Sequence, residues 1–415
     1  MIDGWAKSNL SYISQVISGS TPKTNIKEYW TNGKINWITP NDLSKLKNKY
    51  INNSERKITA SGLKSCSTIL INQESLVMSS RAPIGYLAIS NNFCTNQGCK
   101  SFVFNDNNST SFFYYQLLSN VAKLKQIGEG TTFAEVSKKQ LESFEILHPK
   151  DIKEQQKIAK ILTSVDESIE VTNKIIAKQK RVKTALMQDL LTRGIDENVN
   201  IRSEETHEFK DSVLGRIPKE WETKSLYEIG ECKNGLTYSP DDIVENNGLL
   251  VLRSSNIVGN KLSFHDNVFV RKDIKLNYKI KKDDILICVR NGSKTLIGKN
   301  ALITSNLEGM AHGAFMTIFH SNINKYVFQL FQSDMFFNQV DKNIGATINS
   351  INNSDLELFI FSFPKSKKEQ EKITDILSKQ DEAIEQEEQK LQKLQRVKKA
   401  LMQDLLTGKV RVNYE

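Results

Sequence analysis

Two stretches of the chain, residues 154–192 and 369–407, contain neither proline nor glycine and repeat apolar residues at seven-residue spacing. Leu162, Ile169 and Ile176 recur in the first, and Leu377, Ile384 and Leu391 in the second. A second stripe adds Val165 and Leu186, then Leu394 and Leu401. This period predicts two long helices, each with a seam suited to another helix. The seam turns polar in its middle, at Thr172, Gln179, Gln380 and Glu387. Gly194 and Gly408 stand where such helices should stop. At about 1.5 Å per residue each helix would span about 58 Å, more than one domain of this size can cover. The two are therefore expected to pair with each other through Leu162, Ile169, Ile176, Leu186, Leu377, Ile384, Leu391 and Leu401.

Outside these stretches the apolar runs are short and separated by turn residues. In residues 1–150, 35–38, 75–78 and 85–89 read as strands. Residues 111–125 read as a helix with Phe112, Tyr115, Leu118 and Ala122 on one face. Residues 194–364 repeat that order, with strands at 249–252, 284–289 and 315–319 and a helix at 324–340.

The two halves are copies. The phrase from Arg181 to Thr192 returns from Arg396 to Thr407 with one change, Thr184 against Lys399, at a shift of 215 residues. The same shift carries Glu154-Gln155 onto Glu369-Gln370 and Asp166-Glu167 onto Asp381-Glu382. Gly130, Leu141 and Pro149 match Gly345, Leu356 and Pro364. At a shift of 216, Trp5, Leu10, Ile13 and Gly19 match Trp221, Leu226, Ile229 and Gly235. A tandem duplication of one domain plus one helix follows. The expected fold is mixed α/β (α+β), with two similar globular domains, two long antiparallel helices forming a coiled coil, and pseudo-two-fold symmetry. The expected boundaries are 1–150 and 194–364 for the domains (the second with its linker), 151–193 for the first helix, and 365–415 for the second helix and tail. Because Trp221 follows the first helix, the start of the chain should lie beside the end of the second.

Charge adds a partner class. The net charge of +9 suits a polyanion, and residues 1–150 alone carry about seven of the excess positive charges. Residues 194–230 are acidic, with Glu204, Glu205, Glu208 and Asp211 close together. The apolar runs are far too short to span a bilayer, and the N-terminus lacks the basic and apolar regions of a signal peptide, so a cytoplasmic protein with no membrane contact is expected. Five cysteines without a C-x-x-C pair read as free thiols.

Sites for chemistry are hard to find. The run from Gly292 to Asn300 resembles a phosphate-binding loop, but its glycines are one residue too far apart and Asn300 replaces the magnesium-binding hydroxyl. No glycine-rich nucleotide loop is present, and Pro240-Asp241 reads as a turn. The five histidines fall into no nucleophile pattern, so no catalytic and no metal-binding residue is assigned. What remains are loops of Asn, Ser, Thr and Arg at matching places in both copies. In the first copy they offer Thr39, Asn41, Ser79, Ser80, Arg81, Thr131 and Thr132. In the second they offer Arg253, Ser254, Ser255, Asn256, Arg290, Asn291 and Thr347. Arg can donate twice to guanine, Asn pairs in the same way with adenine, and Ser or Thr reach bases or phosphates.

The order of these motifs resembles the specificity subunit of type I restriction–modification enzymes over essentially the whole chain. The resemblance is clearest from Gly33 to Leu43, from Arg81 to Gly85, at Asn96-Gln97-Gly98, from Leu252 to Ile257, from Asp284 to Ile287, from Arg290 to Ser293, and in the ending from Leu405 to Val412. It implies a non-catalytic subunit of a DNA adenine methyltransferase and endonuclease. Each domain would read one half of a bipartite target in double-stranded DNA. The helices would set the spacing and dock two modification subunits. It further implies that this chain binds no cofactor itself. S-adenosylmethionine would belong to the modification subunits, and ATP and magnesium to two optional restriction subunits. Two other readings compete: a stand-alone fused nuclease–methyltransferase, which the missing catalytic motifs oppose, and a structural adaptor that binds no DNA.

Overall fold

A computed structural model describes residues 2–128, 134–245, 247–276, 278–303, 307, 310–344 and 349–414. The chain divides into two compact units. One comprises 1–176 with 387–415, and the other 177–386. The division cuts both long helices, so each unit owns the start of one and the end of the other. The helices run over Ile152–Leu190 and Lys367–Leu405, 39 residues each. The last strands before the two helices are Glu145–Pro149 and Ile360–Pro364.

The two units share a plan. In the first, Trp5–Asn9 pairs antiparallel with Glu145–Pro149, tying the first strand of the domain to its last. Trp221–Ser225 pairs in the same way with Ile360–Pro364 in the second. A four-stranded antiparallel sheet follows. Its order is Ser14–Ser18, Cys99–Phe104, Ser75–Ser79, Leu87–Ser90 in one unit. In the other it is Glu231–Asn234, Met316–His320, Ile285–Cys288, Asn300–Leu302. A smaller sheet in each unit contains one parallel pair, Ile35–Ile38 with Phe93–Thr95 and Leu249–Leu252 with Ala311–His312. The strands expected from the apolar runs are all present.

The helix expected at 111–125 is two helices, Thr110–Ser119 and Val121–Gly128. Asn120 breaks it. Its side-chain amide donates to the Gln116 carbonyl at 2.8 Å, satisfying locally a group that a continuing helix would use. Ala122, expected on the buried face, is exposed as a result. The helix expected at 324–340 divides into Asn324–Leu330 and Asp334–Asn343, where the Ser333 hydroxyl donates to the Leu330 carbonyl at 2.6 Å. The acidic stretch after the first long helix contains a hairpin, Phe209–Ser212 with Gly215–Pro218.

The long helices are part of the domain cores. In the first unit, Ile158, Leu162, Leu405 and Leu406 pack with Trp5, Phe102 and Phe112. In the second, Met187, Leu190, Ile373 and Leu377 pack with Trp221, Phe319 and Phe331. Within each unit the helices run antiparallel. Glu154 meets Arg411 and Asp166 meets Lys398 in the first. Lys183 meets Asp381 in the second, where the Gln380 amide also donates to the Gln179 carbonyl at 3.2 Å. Of the expected seam residues, Leu162 and Leu401 share one core and Leu186 and Leu377 the other. Ile176 and Ile384 are buried, and Ile169 and Leu391 are half-buried. Gly194 and Gly408 take positive φ of 65° and 69° and end the helices. A Cβ on Gly408 would lie 2.9 Å from Ile2, so the start of the chain does lie beside the end of the second helix.

Candidate nucleic-acid interface

The candidate loops divide into residues that hold the loop and residues that face outward. Ser79 and Ser80 are fully buried. The Ser79 hydroxyl donates to the Pro83 carbonyl at 2.8 Å and accepts from the Tyr86 amide at 2.9 Å. The Ser80 hydroxyl donates to the Gly98 carbonyl and accepts from Lys100. Asn256 is also fully buried. Its carbonyl accepts from the Arg253 amide at 2.9 Å, and its NH2 donates to Ser263, Asp266 and Asn267. All three, offered by the sequence as DNA contacts, are buried here with their polar groups bonded within their own turns. The Thr39 hydroxyl caps the short helix Pro40–Ser44 through Asp42, so it too is structural.

The outward set is smaller. Asn41 is exposed and donates to Glu55 at 3.1 Å. Ser255 is exposed, while the half-buried Ser254 accepts from the Asn291 amide at 3.1 Å. Arg253 pairs with Asp266 at 2.9 Å. Thr131, Thr132 and Thr347 lie outside the described residues. The phosphate-loop resemblance dissolves: Asn300 is buried with its amide on the Phe331 carbonyl, and Lys299 donates to the Ser254 carbonyl.

Two arginines occupy equivalent places. Arg81 faces Glu135 across an antiparallel bridge, and Arg290 faces Ser350 across another. Each follows the matching strand of its four-stranded sheet, Ser75–Ser79 or Ile285–Cys288. Their surroundings differ. Arg290 is exposed, with its guanidinium 5.7 Å from the ring centre of Phe315, itself 58% exposed. Arg81 is half-exposed and donates from Nε to Glu135 at 2.9 Å. The other Glu135 oxygen takes Lys100 Nζ at 3.4 Å.

Each unit also has a clasp centred on a duplicated tryptophan and glutamate. The Glu154 carboxylate, 1% exposed, receives Arg411 Nε at 2.6 Å, Arg411 Nη2 at 2.8 Å and the Trp5 indole at 3.4 Å. The Glu369 carboxylate receives both Arg202 nitrogens at 2.5 and 3.1 Å, the Trp221 indole at 3.2 Å and the Ile195 amide at 3.0 Å. The bidentate hydrogen bond that Arg411 donates to Glu154 pushes the pKa of its guanidinium above the usual value. The matching pairs Trp5/Trp221 and Glu154/Glu369 were visible in the repeat. Nothing in the sequence assigned them a role, and Arg202 falls outside the regular shift.

A hidden polar group also lies in the second unit. The buried Asp284 accepts from the Tyr278 hydroxyl at 3.0 Å and contacts His320 Nδ1 at 2.6 Å. The nearby Ser321 hydroxyl is donated to the Ile229 carbonyl, so no activated nucleophile stands beside this pair. The cysteines are free, and burial pushes the Cys94 thiol up to about 12 and the Cys288 thiol up to about 11.

The chain matches the type I restriction modification DNA specificity domain twice, over residues 2–181 and 218–396. It is 28% identical over 414 residues to the type I restriction enzyme MjaIX specificity subunit of Methanocaldococcus jannaschii, covering 98% of this chain and 94% of that one. The MjaVIII specificity subunit of the same organism is 27% identical over 312 residues, covering 72% and 70%. Among solved structures, the S subunit of a type I restriction-modification system from M. genitalium aligns over 97% of this chain and 96% of its own, with a TM-score of 0.61 at 16% identity.

Proposed function

We infer the working of this chain from the premise that it belongs to the family of type I restriction–modification DNA specificity subunits, whose domain it carries twice. It is the part of a restriction–modification complex that selects the DNA sequence. Each domain reads one half of a bipartite target in double-stranded DNA, and the paired helices fix the spacing between the halves.

The observation that carries this reading is a shared frame with unlike surfaces. Sheet order, first-to-last strand pairing and the Trp–Glu–Arg clasp recur in both units. Yet Arg81 stands beside a carboxylate and Arg290 beside an aromatic ring. Equal frames with different chemistry at the equivalent arginine fit two different half-sites. We assign base or phosphate contact to Arg81, Arg290, Asn41, Asn291, Arg253 and Ser255, with Thr131, Thr132 and Thr347 as further candidates.

The helices support a partner used twice. The repeated phrase keeps Arg181, Val182 and Gln188 identical to Arg396, Val397 and Gln403, and all six are exposed. Core packing cannot explain identity at exposed positions. One protein docking once on each copy does, and we propose two modification subunits in that place. They bind S-adenosylmethionine and methylate adenine. Two restriction subunits, using ATP and magnesium, complete a form that also cuts. The chain itself supplies no reacting group, and it works in the cytoplasm.

The test is to express the chain with its modification subunits in a host without methylation and to map methylated adenines. A two-part motif with one fixed gap is expected. An undivided motif, or methylation unaffected by deleting this chain, overturns the reading.

A further inference from the structure

The carboxylate of Glu135 has no counterpart in the second unit, where Ser350 occupies the equivalent bridge position. It is held from two sides. Arg81 Nε donates to one oxygen at 2.9 Å and Lys100 Nζ approaches the other at 3.4 Å. Lys100 is itself buried, 6% exposed along its side chain, and is further fixed by the Ser80 hydroxyl at 3.1 Å and the Gln97 carbonyl at 3.4 Å. Glu135 remains 28% exposed and Arg81 49%. A carboxylate has about four acceptor positions, and two are used here. The remainder are held in a fixed orientation at the surface.

A negative charge on a surface that binds DNA repels phosphates. Its two cationic neighbours outweigh that charge, so the cluster as a whole stays positive. An acceptor held rigidly there gains from one feature of DNA, an amino group on a base edge in the major groove, such as cytosine N4 or adenine N6. Resting on the reading of this surface as the one that meets DNA, we propose that Glu135 is a base-reading residue. It accepts a hydrogen bond from an exocyclic amino group in the half-site of the first domain, while Arg81, steered by the same carboxylate, donates to the neighbouring base. The second domain, with serine at this place, makes no such demand.

The test uses the chain assembled with its modification subunits and its own methylation motif. Duplexes are made in which single bases of each half-site lose only their amino group, with 2-pyrimidinone for cytosine or purine for adenine. The wild type should lose on the order of ten-fold or more in affinity at one position of the first half-site. Glu135→Ala should be insensitive or far less sensitive to that change, while Glu135→Gln, which keeps a carbonyl acceptor, should retain part of the sensitivity, with every other position unaffected. Whether the sensitive base is cytosine or adenine identifies the amino group. Glu135→Ala should also bind unrelated DNA more tightly, with a steeper salt dependence, because two cations are released toward phosphates. If Glu135→Ala unfolds thermally like the wild type and keeps its sensitivity at every position, the proposal is overturned. Arg81→Ala and Arg290→Ala separate the two levels. Should neither alter its half-site, the surface itself has been misplaced and both readings fail. Should they alter it while the Glu135 variants do not, only this inference fails.

Discussion

Arg411 closes a two-pronged ion pair on Glu154, with Nε at 2.6 Å and Nη2 at 2.8 Å, and so joins the segment beyond the second long helix to the first turn of the first. The same guanidinium donates from Nη1 to the Asp3 carbonyl at 2.7 Å. One side chain thereby ties together the beginning of a domain, the helix that follows it, and the helix that returns from the other copy. Arg202 and Glu369 repeat the arrangement in the second unit, with the arginine more deeply buried, 9% exposed against 40% for Arg411. A bidentate fork fits a carboxylate better than a point charge does, which accounts for arginine at both places.

Removing Arg202 should therefore cost more than removing Arg411. Arg202→Ala leaves a buried carboxylate with only the Trp221 indole and the Ile195 amide as donors. The expected loss is about 3–5 kcal/mol. Arg411 is 40% exposed, so water can replace it in part, and Arg411→Ala should cost about 1–3 kcal/mol. Urea unfolding of the two variants measures the difference. Equal losses would mean that burial does not set the strength of the clasp.

The long helices, their stops and several strands were legible because each rests on a local signal. A seven-residue apolar period, a glycine with positive φ and an apolar run between turns are all properties of neighbouring residues. The break at Asn120 was not legible. It depends on whether an amide turns back to Gln116 or outward, and composition does not decide that. The orientation of the loop residues was not legible for a related reason. Ser80 and Asn256 have the chemistry of DNA contacts, but whether a hydroxyl or amide faces water or its own turn is settled by partners such as Lys100, 20 residues away. Glu135 and Arg411 were invisible because their partners lie 54 and 257 residues away.

Acid should weaken both units. Burial lowers the pKa of His312 and of His148 below the ordinary value of 6.5, so the unfolded chain takes up protons first as pH falls. The stability these neutral imidazoles contribute is complete above about pH 6.5 and is lost below it, as pH falls toward each folded value. Each histidine can contribute a slope of at most about 1.4 kcal/mol per pH unit. His312 donates from one ring nitrogen to the Lys233 carbonyl at 2.9 Å, so His312→Gln can keep a donor while removing the titration. Denaturation between pH 7 and pH 5 should give a shallower slope for this variant than for wild type. An unchanged slope would show that His312 takes no part.

Asn256 and Arg290 should behave differently when removed. Asn256→Ala deletes four hydrogen bonds inside a buried turn and should lower the stability of the second unit by about 1–3 kcal/mol, with recognition falling as a consequence. Arg290→Ala touches an exposed side chain and should leave the melting temperature nearly unchanged. It should cost recognition of one half-site by about 1–3 kcal/mol. Thermal melts paired with binding to duplexes mutated in one half-site distinguish these outcomes. A normal melt for Asn256→Ala would return that residue to the list of readers.

The two reciprocal helix pairs give a last, sharper test, because they look alike and should not respond alike. Lys398 meets Asp166 at 2.6 Å in the first unit, and Lys183 meets Asp381 at 2.5 Å in the second. Around Lys183 and Asp381 no third charged partner is seen among the described residues, so the exchange Lys183→Asp with Asp381→Lys should recover most of what either change loses, roughly 0.5–1 kcal/mol of coupling. Asp166 has a second duty, since it accepts the Tyr115 hydroxyl at 2.8 Å. Burial pushes that phenol well above its usual pKa, which keeps it a donor. Lys49 also lies 5.5 Å from the Tyr115 ring, bonded to Thr163 at 2.7 Å. Exchanging Asp166→Lys with Lys398→Asp would bring a new lysine toward Lys49 and strip Tyr115 of its acceptor, so the double variant should stay destabilised, by about 1–3 kcal/mol. Double-mutant cycles in both units check this. Full recovery in the first unit would mean that Tyr115 and Lys49 are indifferent to the charge beside them, and that the pair acts as a simple surface ion bridge.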